Sequence, residues 1–292
     1  MPQSPIDRRA ALARRMKQPG LVVAPGVFEL ISARIADPMG FDCLYVTGYG
    51  LVASHLGLPD AGIATYSDMV GRVGQIAKMT RTPFIADADT GYGGLLNVRH
   101  TIRGYEDAGV SAIQIEDQEF PKKCGHTPNR RVVPLEDMVR KIEVAVDSRQ
   151  SEDFLIIART DSRTSLGIDE AIRRGKAFAK AGADVVFIES PESEDEMLKV
   201  AAEIDAPLFA NMVNGGRTPL FSAEKLASMG YAIAIHPAIG FLSVGAALQK
   251  AYSDLARNGE TSKDIDLYSF AEFNKLIGFE DVWAFEKKFA QD

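Results

Sequence analysis

The chain has 292 residues, 46% of them hydrophobic and 25% charged, with a net charge of −7. That is the composition of an ordinary soluble globular protein, and its acidic balance argues against nucleic acid or an anionic membrane surface as partner. No apolar run approaches the roughly 20 residues of a membrane helix. The N-terminus leads into a basic amphipathic stretch, not a signal-peptide core, and two cysteines point to thiols in a reducing cytosol, not a disulfide framework.

A first helix is expected over 6–18. The chain then alternates short apolar runs, at 21–25, 43–48, 83–87, 112–116, 155–159, 184–189, 207–211 and 231–236, with longer amphipathic ones. The short runs are rich in Val, Ile, Phe and Ala and lack clean alternation, as parallel strands covered on both faces do. Helical spacing marks 67–80, 95–108, 135–148 and 168–181. Gly109, Gly182 and Gly230 stand where left-handed helix caps are expected. Asp68, Pro134 with Glu136, and Ser222 with Glu224 are the expected helix starts.

Eight strand–helix units over about 240 residues predict a (β/α)8 TIM barrel, an α/β fold. An open doubly wound sheet is the rival, but no Gly-x-Gly-x-x-Gly follows the first strand. Gly91-Tyr92-Gly93-Gly94 does not have phosphate-loop spacing and reads as a tight turn beside a ligand. After the last strand, 239–292 is a helical tail carrying Phe270, Phe273, Phe279, Trp283 and Phe285. Such a stripe packs either on its own barrel or against another subunit. No linker or repeat beyond the strand–helix unit interrupts the chain, so 1–292 reads as one domain with a tail.

Barrels carry their chemistry at the C-terminal ends of the strands. Here those ends are Thr47-Gly48-Tyr49-Gly50, Asp87-Ala88-Asp89, Glu116-Asp117, Arg159-Thr160-Asp161, Glu189-Ser190, Asn211 and His236-Pro237. Any one of these acids alone could be a helix cap or a surface charge. Together they repel one another unless a cation sits between them. Oxygen-only ligands favour Mg2+ or Mn2+ over zinc, with Asp87 as the direct ligand and Asp89 and Glu116 acting partly through water. Arg159 ends an apolar strand and needs an anion. It either pairs with Glu189 or Glu116, or clamps a substrate carboxylate, and both could hold at once. The backbone N–H groups of Thr47–Gly50 suit a second carboxylate.

Strand four leaves on a long segment, 118–133, and long loops in compact domains are usually lids. It sets Cys124 among Lys122, Lys123 and His126, and cations beside a thiol ease its ionisation. Lys122–His126 is expected to be a mobile lid, open or poorly ordered without ligand, that closes over an acidic, metal-filled mouth. Cys43, in an apolar strand, is expected to be inert core.

Lys122-Lys123-Cys124-Gly125-His126, together with Asp87-Ala88-Asp89-Thr90-Gly91-Tyr92-Gly93 and Ile115-Glu116-Asp117-Gln118, resembles the isocitrate lyase/phosphoenolpyruvate mutase superfamily. The likeness runs from Ala24-Pro25-Gly26 to Asn211-Met212-Val213-Asn214-Gly215-Gly216-Arg217-Thr218-Pro219. The cysteine loop is similar to that of the carbon–carbon lyases of the superfamily, in particular the short bacterial methylisocitrate and dimethylmalate lyases. The resemblance implies Mg2+ on Asp87, Asp89 and Glu116 with Asp60 nearby. It implies substrate carboxylates at Thr47, Gly48, Tyr49, Gly125, His126, Arg159 and Asn211, with Glu189 completing that set. The implied reaction cleaves a 2-hydroxy di- or tricarboxylate to an α-keto acid and a carboxylate. Cys124 would be the general acid, and His126, Arg159, Glu116 and Lys122 would complete the catalytic group. A small carboxylic acid is thus the implied partner, in a cytoplasmic homotetramer of helix-swapped dimers. Thr47, Tyr49, Glu189-Ser190-Pro191 and Asn214-Gly215-Gly216 depart from the methylisocitrate pattern, and the Asn211-x-x-x-Gly215-Gly216-Arg217-Thr218-Pro219 form resembles the dimethylmalate and plant alkylmalate lyases more. Oxaloacetate hydrolysis or decarboxylation is the alternative on the same scaffold, weakly disfavoured by Pro237. A phosphonomutase is disfavoured by Cys124.

Overall fold

The computed structural model of the protein describes residues 4–290 except 126 and 128. The chain forms two compact units, Met1–Gly240 and Phe241–Asp292.

In the first unit eight strands close a parallel barrel in sequence order. They are β1 (Val22–Val27), β2 (Leu44–Val46), β3 (Phe84–Asp87), β4 (Ala112–Glu116), β5 (Leu155–Thr160), β6 (Val185–Ile188), β7 (Leu208–Asn211) and β8 (Tyr231–His236). The helices are α1 (Pro5–Met16), α2 (Leu30–Ala36), α3 (Gly48–Leu56), α4 (Tyr66–Met79), α5 (Leu95–Asp107), α6 (Leu135–Ser148), α7 (Arg163–Leu166), α8 (Ile168–Lys180), α9 (Glu194–Glu203) and α10 (Ala223–Ser228). The expected barrel is therefore present, with β4 and β8 at their expected bounds.

Two apolar layers hold it. One lies between strands and helices, with Val73, Ile102, Tyr105, Ile142 and Phe178 fully buried against the outer strand face. The other fills the barrel with Tyr45, Ile85, Ile157, Phe187, Phe209 and Ile233, and Leu12 and Ala13 of α1 join it. Burial on both faces is why the strand sequences do not alternate. Cys43 sits in the inner layer, fully buried, and burial pushes its thiol pKa far up. This is the inert core position expected.

The basic face of α1 has a structural use. Arg8 donates to the carbonyls of Ala77, Thr80 and Gly109, and Arg9 to Glu106 and to the carbonyls of Glu106 and Val110. Two buried guanidinium groups thus satisfy the orphan carbonyls where α4 and α5 end, and they seat α1 over the N-terminal end of the barrel.

Several helix boundaries differ from expectation. The N-cap of α4 is Thr65, whose side chain accepts from the Asp68 amide while Asp68 accepts from the Thr65 backbone. Asp68 is thus the far side of a capping box, not its first residue. Gly109, Gly182 and Gly230 take φ of 95, 100 and 95°, as expected of helix stops. Helices α2, α3, α7 and α9 had no expectation. The tail carries α11 (Ile239–Asn258), α12 (Phe270–Ile277) and α13 (Phe279–Phe289), the last two parted by Gly278 at φ 97°. None of the residues of these three helices is buried. No helix among the described residues is long and apolar enough to cross a membrane.

Candidate active site

The site is built where the strand ends converge, and strand register fixes the first pair. Glu116 of β4 lies opposite Arg159 of β5, and the two side chains meet at 3.3 Å. Arg159 also contacts Glu189 beyond β6 at 3.4 Å and grips Asp161 with Nε and Nη2, each at 2.9 Å. Its guanidinium lies 5.2 Å over the Phe187 ring. Both pairings expected of Arg159 are present, and a third, Asp161, was missed. Asn211 donates to Glu189 at 3.0 Å, and Ser190 to Glu189 at 3.1 Å. Burial works against the Arg159 charge, but Asp161, Glu116 and Glu189 hold its pKa well above the ordinary value.

A second group lies at the ends of β2 and β3. The Asp89 amide donates to Asp87 Oδ1 at 3.0 Å. Asp89 is held at φ 49°, in the left-handed region that Asp tolerates better than most side chains. Helix α3 begins at Gly48 with Thr47 as its cap, and a Cβ on Gly48 would lie 2.8 Å from Asp87 Oδ2. The glycine is needed for that close approach of backbone to carboxylate. Gly48 and Tyr49 thus open a helix capped by Thr47, and the positive end of a helix favours an anion.

Lys122 Nζ sits 2.5 Å from both Asp60 Oδ1 and Asp89 Oδ1. It is 3% exposed. Burial disfavours its charge, but Asp89 and Asp60 outweigh that and hold its pKa well above the usual lysine value. The carboxylates still outnumber the cations. Burial pushes Glu116 well above the carboxylate range and Asp89 up to about 6. Glu116 Oε1 is buried with no hydrogen-bond partner. Asp60, Asp87, Asp89 and Glu116 therefore form an oxygen-only donor set with surplus negative charge and an orphaned oxygen, which fits a hard divalent cation. Among the described residues no three His, Cys, Asp or Glu side chains already converge in a metal-holding arrangement. The Lys122 ammonium bridges two of the four acids.

The lid differs from expectation. It was expected to stand open or to be poorly ordered, and 118–125 is docked. Gln118 pairs with Val132 across the base, and its side chain accepts from the Lys123 amide and donates to the Lys123 carbonyl. The Cys124 amide donates to the Asp60 carbonyl at 3.2 Å, and Ser190 donates to the Gly125 carbonyl at 3.2 Å. A Cβ on Gly125 would fall on Arg159 Nη2 and within 2.9 Å of Glu189 Oε2. Two buried carboxylates drawn to Lys122 are the physical reason for docking. Cys124 is half-buried above Asp60. His126, expected in the catalytic set, lies outside the described residues. The structure otherwise brings the expected residues into two clusters, Glu116–Arg159–Glu189–Asn211 and Asp60–Asp89–Lys122, with Asp87 and Gly48 beside the second.

A layer behind the site was not anticipated. Asp117 accepts from Thr160 Oγ1 at 2.6 Å, from the Asp161 amide at 2.9 Å and from Arg174 at 2.9 Å. Arg130 of the lid's return arm pairs with Asp161 and donates to Thr164 at 2.6 Å. The one signal in the sequence was the Arg159-x-Asp161 spacing, which puts both side chains on one face of a strand.

A parallel barrel with an acidic rim, a buried arginine and a cysteine lid defines a (β/α)8 enzyme acting on small anions. A family model described as phosphoenolpyruvate phosphomutase matches residues 12–256. A 2,3-dimethylmalate lyase of Eubacterium barkeri is 47% identical over 286 residues, covering 98% of this chain and 99% of that one. A 2-methylisocitrate lyase of Aeropyrum pernix is 39% identical over 292 residues, covering 99% and 92%. Among solved structures, an oxaloacetate acetylhydrolase bound to 3,3-difluorooxalacetate superposes with a TM-score of 0.93 at 33% identity, over 99% of both chains. A phosphonopyruvate hydrolase in complex with oxalate and Mg++ gives 0.87 at 30% identity, over 97% of this chain and 99% of that one. The chain belongs to the phosphoenolpyruvate mutase/isocitrate lyase superfamily, on its lyase side.

Proposed function

We propose that the protein cleaves the C2–C3 bond of a 2-alkyl-2-hydroxy dicarboxylate of the 2,3-dimethylmalate type, giving pyruvate and propionate. The observation that carries this reading is the docking of the Cys124 loop on the arginine cluster, with Gly125 packed against Arg159 and Glu189. Similarity to the dimethylmalate lyase over nearly the whole of both chains supports the substrate class.

Asp87, Asp89 and Glu116, with Asp60 alongside, would hold Mg2+, whose positive charge would lower the pKa of the substrate's hydroxyl. The protein's own groups do the rest. Arg159 binds one substrate carboxylate through charge-assisted hydrogen bonds, while the N-terminal end of α3 (Thr47, Gly48, Tyr49) receives the other. Asn211, Glu189 and Gly125 line the same mouth. Glu116 or Asp60 takes the hydroxyl proton, the C2–C3 bond breaks, and its electron pair stays on C3 as an enediolate. Arg159 faces that developing charge. Cys124 Sγ then gives its proton to C3 as general acid, and the lid, anchored by Lys122, keeps water from reaching it first. One proton leaves the hydroxyl and one arrives at C3, so the reaction is neutral overall.

A substrate panel with Mg2+ and keto-acid detection tests the reading. It contains 2,3-dimethylmalate, other alkylmalates, 2-methylisocitrate, isocitrate and oxaloacetate. The alkylmalates are expected to turn over best. The high TM-score to oxaloacetate acetylhydrolase favours hydrolysis of oxaloacetate as the second reading, and acetate plus oxalate as the sole products would select it. We further propose a cytoplasmic homo-oligomer in which the exposed apolar side chains of α12 and α13, Phe270, Trp283 and Phe285 among them, are covered by a second copy.

A further inference from the structure

Arg159 has to present a carboxylate clamp in a fixed plane although Glu116 and Glu189 pull on it from two sides. What opposes them is Asp161. Its Oδ2 accepts from Arg159 Nε and its Oδ1 from Nη2, both at 2.9 Å, a two-point grip that fixes the plane of a guanidinium as a single contact cannot. Among the described residues, Nη1 meets only Glu116, at the looser 3.3 Å. It is the nitrogen with a donor left to give.

Asp161 is itself held. Its Oδ1 also accepts from Nη1 of Arg130, so one oxygen is shared by two guanidinium groups. Its amide donates to Asp117. Arg130 belongs to the return arm of the lid. Its other nitrogens donate to Thr127 O at 3.1 Å, within the lid, and to Thr164 Oγ1 at 2.6 Å, on the barrel. Asp161 and Arg130 are buried, at 1% and 4% exposure. Burial pushes the Asp161 carboxyl up, but Arg159 and Arg130 outweigh it and hold its pKa below the usual range. The lid thus reaches Arg159 twice, directly through Gly125 and from behind through Arg130 and Asp161.

We propose that Asp161 and Arg130 are positioning residues, which hold the Arg159 guanidinium for substrate and make its placement depend on lid docking. The role rests on the reading of Arg159 as a carboxylate clamp given above. Neither residue touches the reacting atoms. In a protein where Arg130 cannot pair, Asp161 keeps Arg159 but loses its second cation, and the clamp and the lid come apart.

Arg130→Gln, Arg130→Lys and Asp161→Asn test this with oxalate and Mg2+ as the probe. Calorimetry gives oxalate affinity, and mass-mapped trypsin cleavage after Lys123 reports lid docking. Arg130→Gln is expected to bind oxalate at least about tenfold more weakly, and oxalate no longer slows its cleavage after Lys123 as it does in wild type. Its KM for 2,3-dimethylmalate rises more than its kcat falls, and Arg130→Lys recovers most of both losses. A purely structural role would lower Tm and leave oxalate affinity, KM and lid protection of the folded protein at wild-type values. That result in Arg130→Gln overturns the proposal. If Asp161→Asn does not fold, the two Arg130 variants decide. Should wild type bind oxalate but turn over no alkylmalate, the substrate reading falls while the oxalate measurements still decide the relay. Wild type that binds no oxalate overturns the clamp and the relay together.

Discussion

Cys124 sits half-buried on a loop whose next residue has no room for a side chain. Each half of that statement makes a prediction. Cys124→Ser replaces a thiol with a much weaker acid, so kcat should fall by about 10²–10⁴, the usual worth of a positioned general acid, while Mg2+ affinity is kept. Full activity in that variant would remove Cys124 from the mechanism. Gly125→Ala adds a methyl where Arg159 and Glu189 already stand. A loss of about tenfold or more in kcat/KM is expected with little change in Tm, because the strain falls on a lid and not on the core. The two thiols should also separate chemically. Alkylation at about pH 8 is expected to modify Cys124 alone in the native protein, since Cys43 is fully buried with its pKa pushed far up. Two modified thiols in the folded state would contradict that placement. The acids and Arg159 could be read from the sequence because barrel strands end where chemistry sits. The partners of Arg159 could not. Asp161 looked like one more rim acid, and its pairing with Arg130 depends on how residues 118–133 return to the barrel, which no local pattern encodes.

At the scale of elements, the strands were the legible part, for burial on both faces writes them as continuous apolar runs. β4 and β8 fell at their expected ends, whereas the run 43–48 was cut short because Gly48 already begins α3. That helix opens Gly48-Tyr49-Gly50, a sequence that reads as a turn, since glycine is a poor helix former. Helix α2 is seven residues long and capped by Glu29, whose carboxylate accepts from the Ile31 and Ser32 amides; glutamate is not a usual cap. The lid was legible as a loop but not as a docked one, because docking rests on the long-range pairing of Lys122 with Asp60 and Asp89. α1 was legible as basic and amphipathic, and its arginines turn out to cap α4 and α5. Arg8→Ala should lower stability by about 2–4 kcal/mol by stripping three buried carbonyls of their donor. Urea unfolding measures this, and kcat per folded molecule should stay at the wild-type value. A variant as stable as wild type would mean that water replaces the guanidinium.

At the scale of the whole molecule, the acidic net charge and the acidic barrel mouth pose one problem. The enzyme carries −7 overall and is proposed to take a dianion. Arg159, Lys122 and the first turn of α3 supply local positive potential against that background, and the divalent cation would complete it. Chelating the metal is therefore expected to abolish turnover and to weaken oxalate binding together. Loss of one without the other would uncouple cation from substrate. The tail exposes Phe270 at 81% and Phe285 at 64%, and large exposed apolar side chains of this kind mark interaction surfaces when they gather in a patch. Sedimentation should report an oligomer, and removal of residues 270–292 should yield smaller species; a monomeric full-length chain would contradict the proposed cover by a second copy. The most direct test of the central claim is one reaction. Wild-type protein and Cys124→Ser are each incubated with 2,3-dimethylmalate and Mg2+ in heavy water, and the products are weighed by mass spectrometry. The account predicts pyruvate and propionate in equal amounts from wild type, with one solvent deuterium at C2 of propionate, and next to none from the variant. Absence of pyruvate from wild type, or deuterated propionate formed as fast by Cys124→Ser, would contradict it.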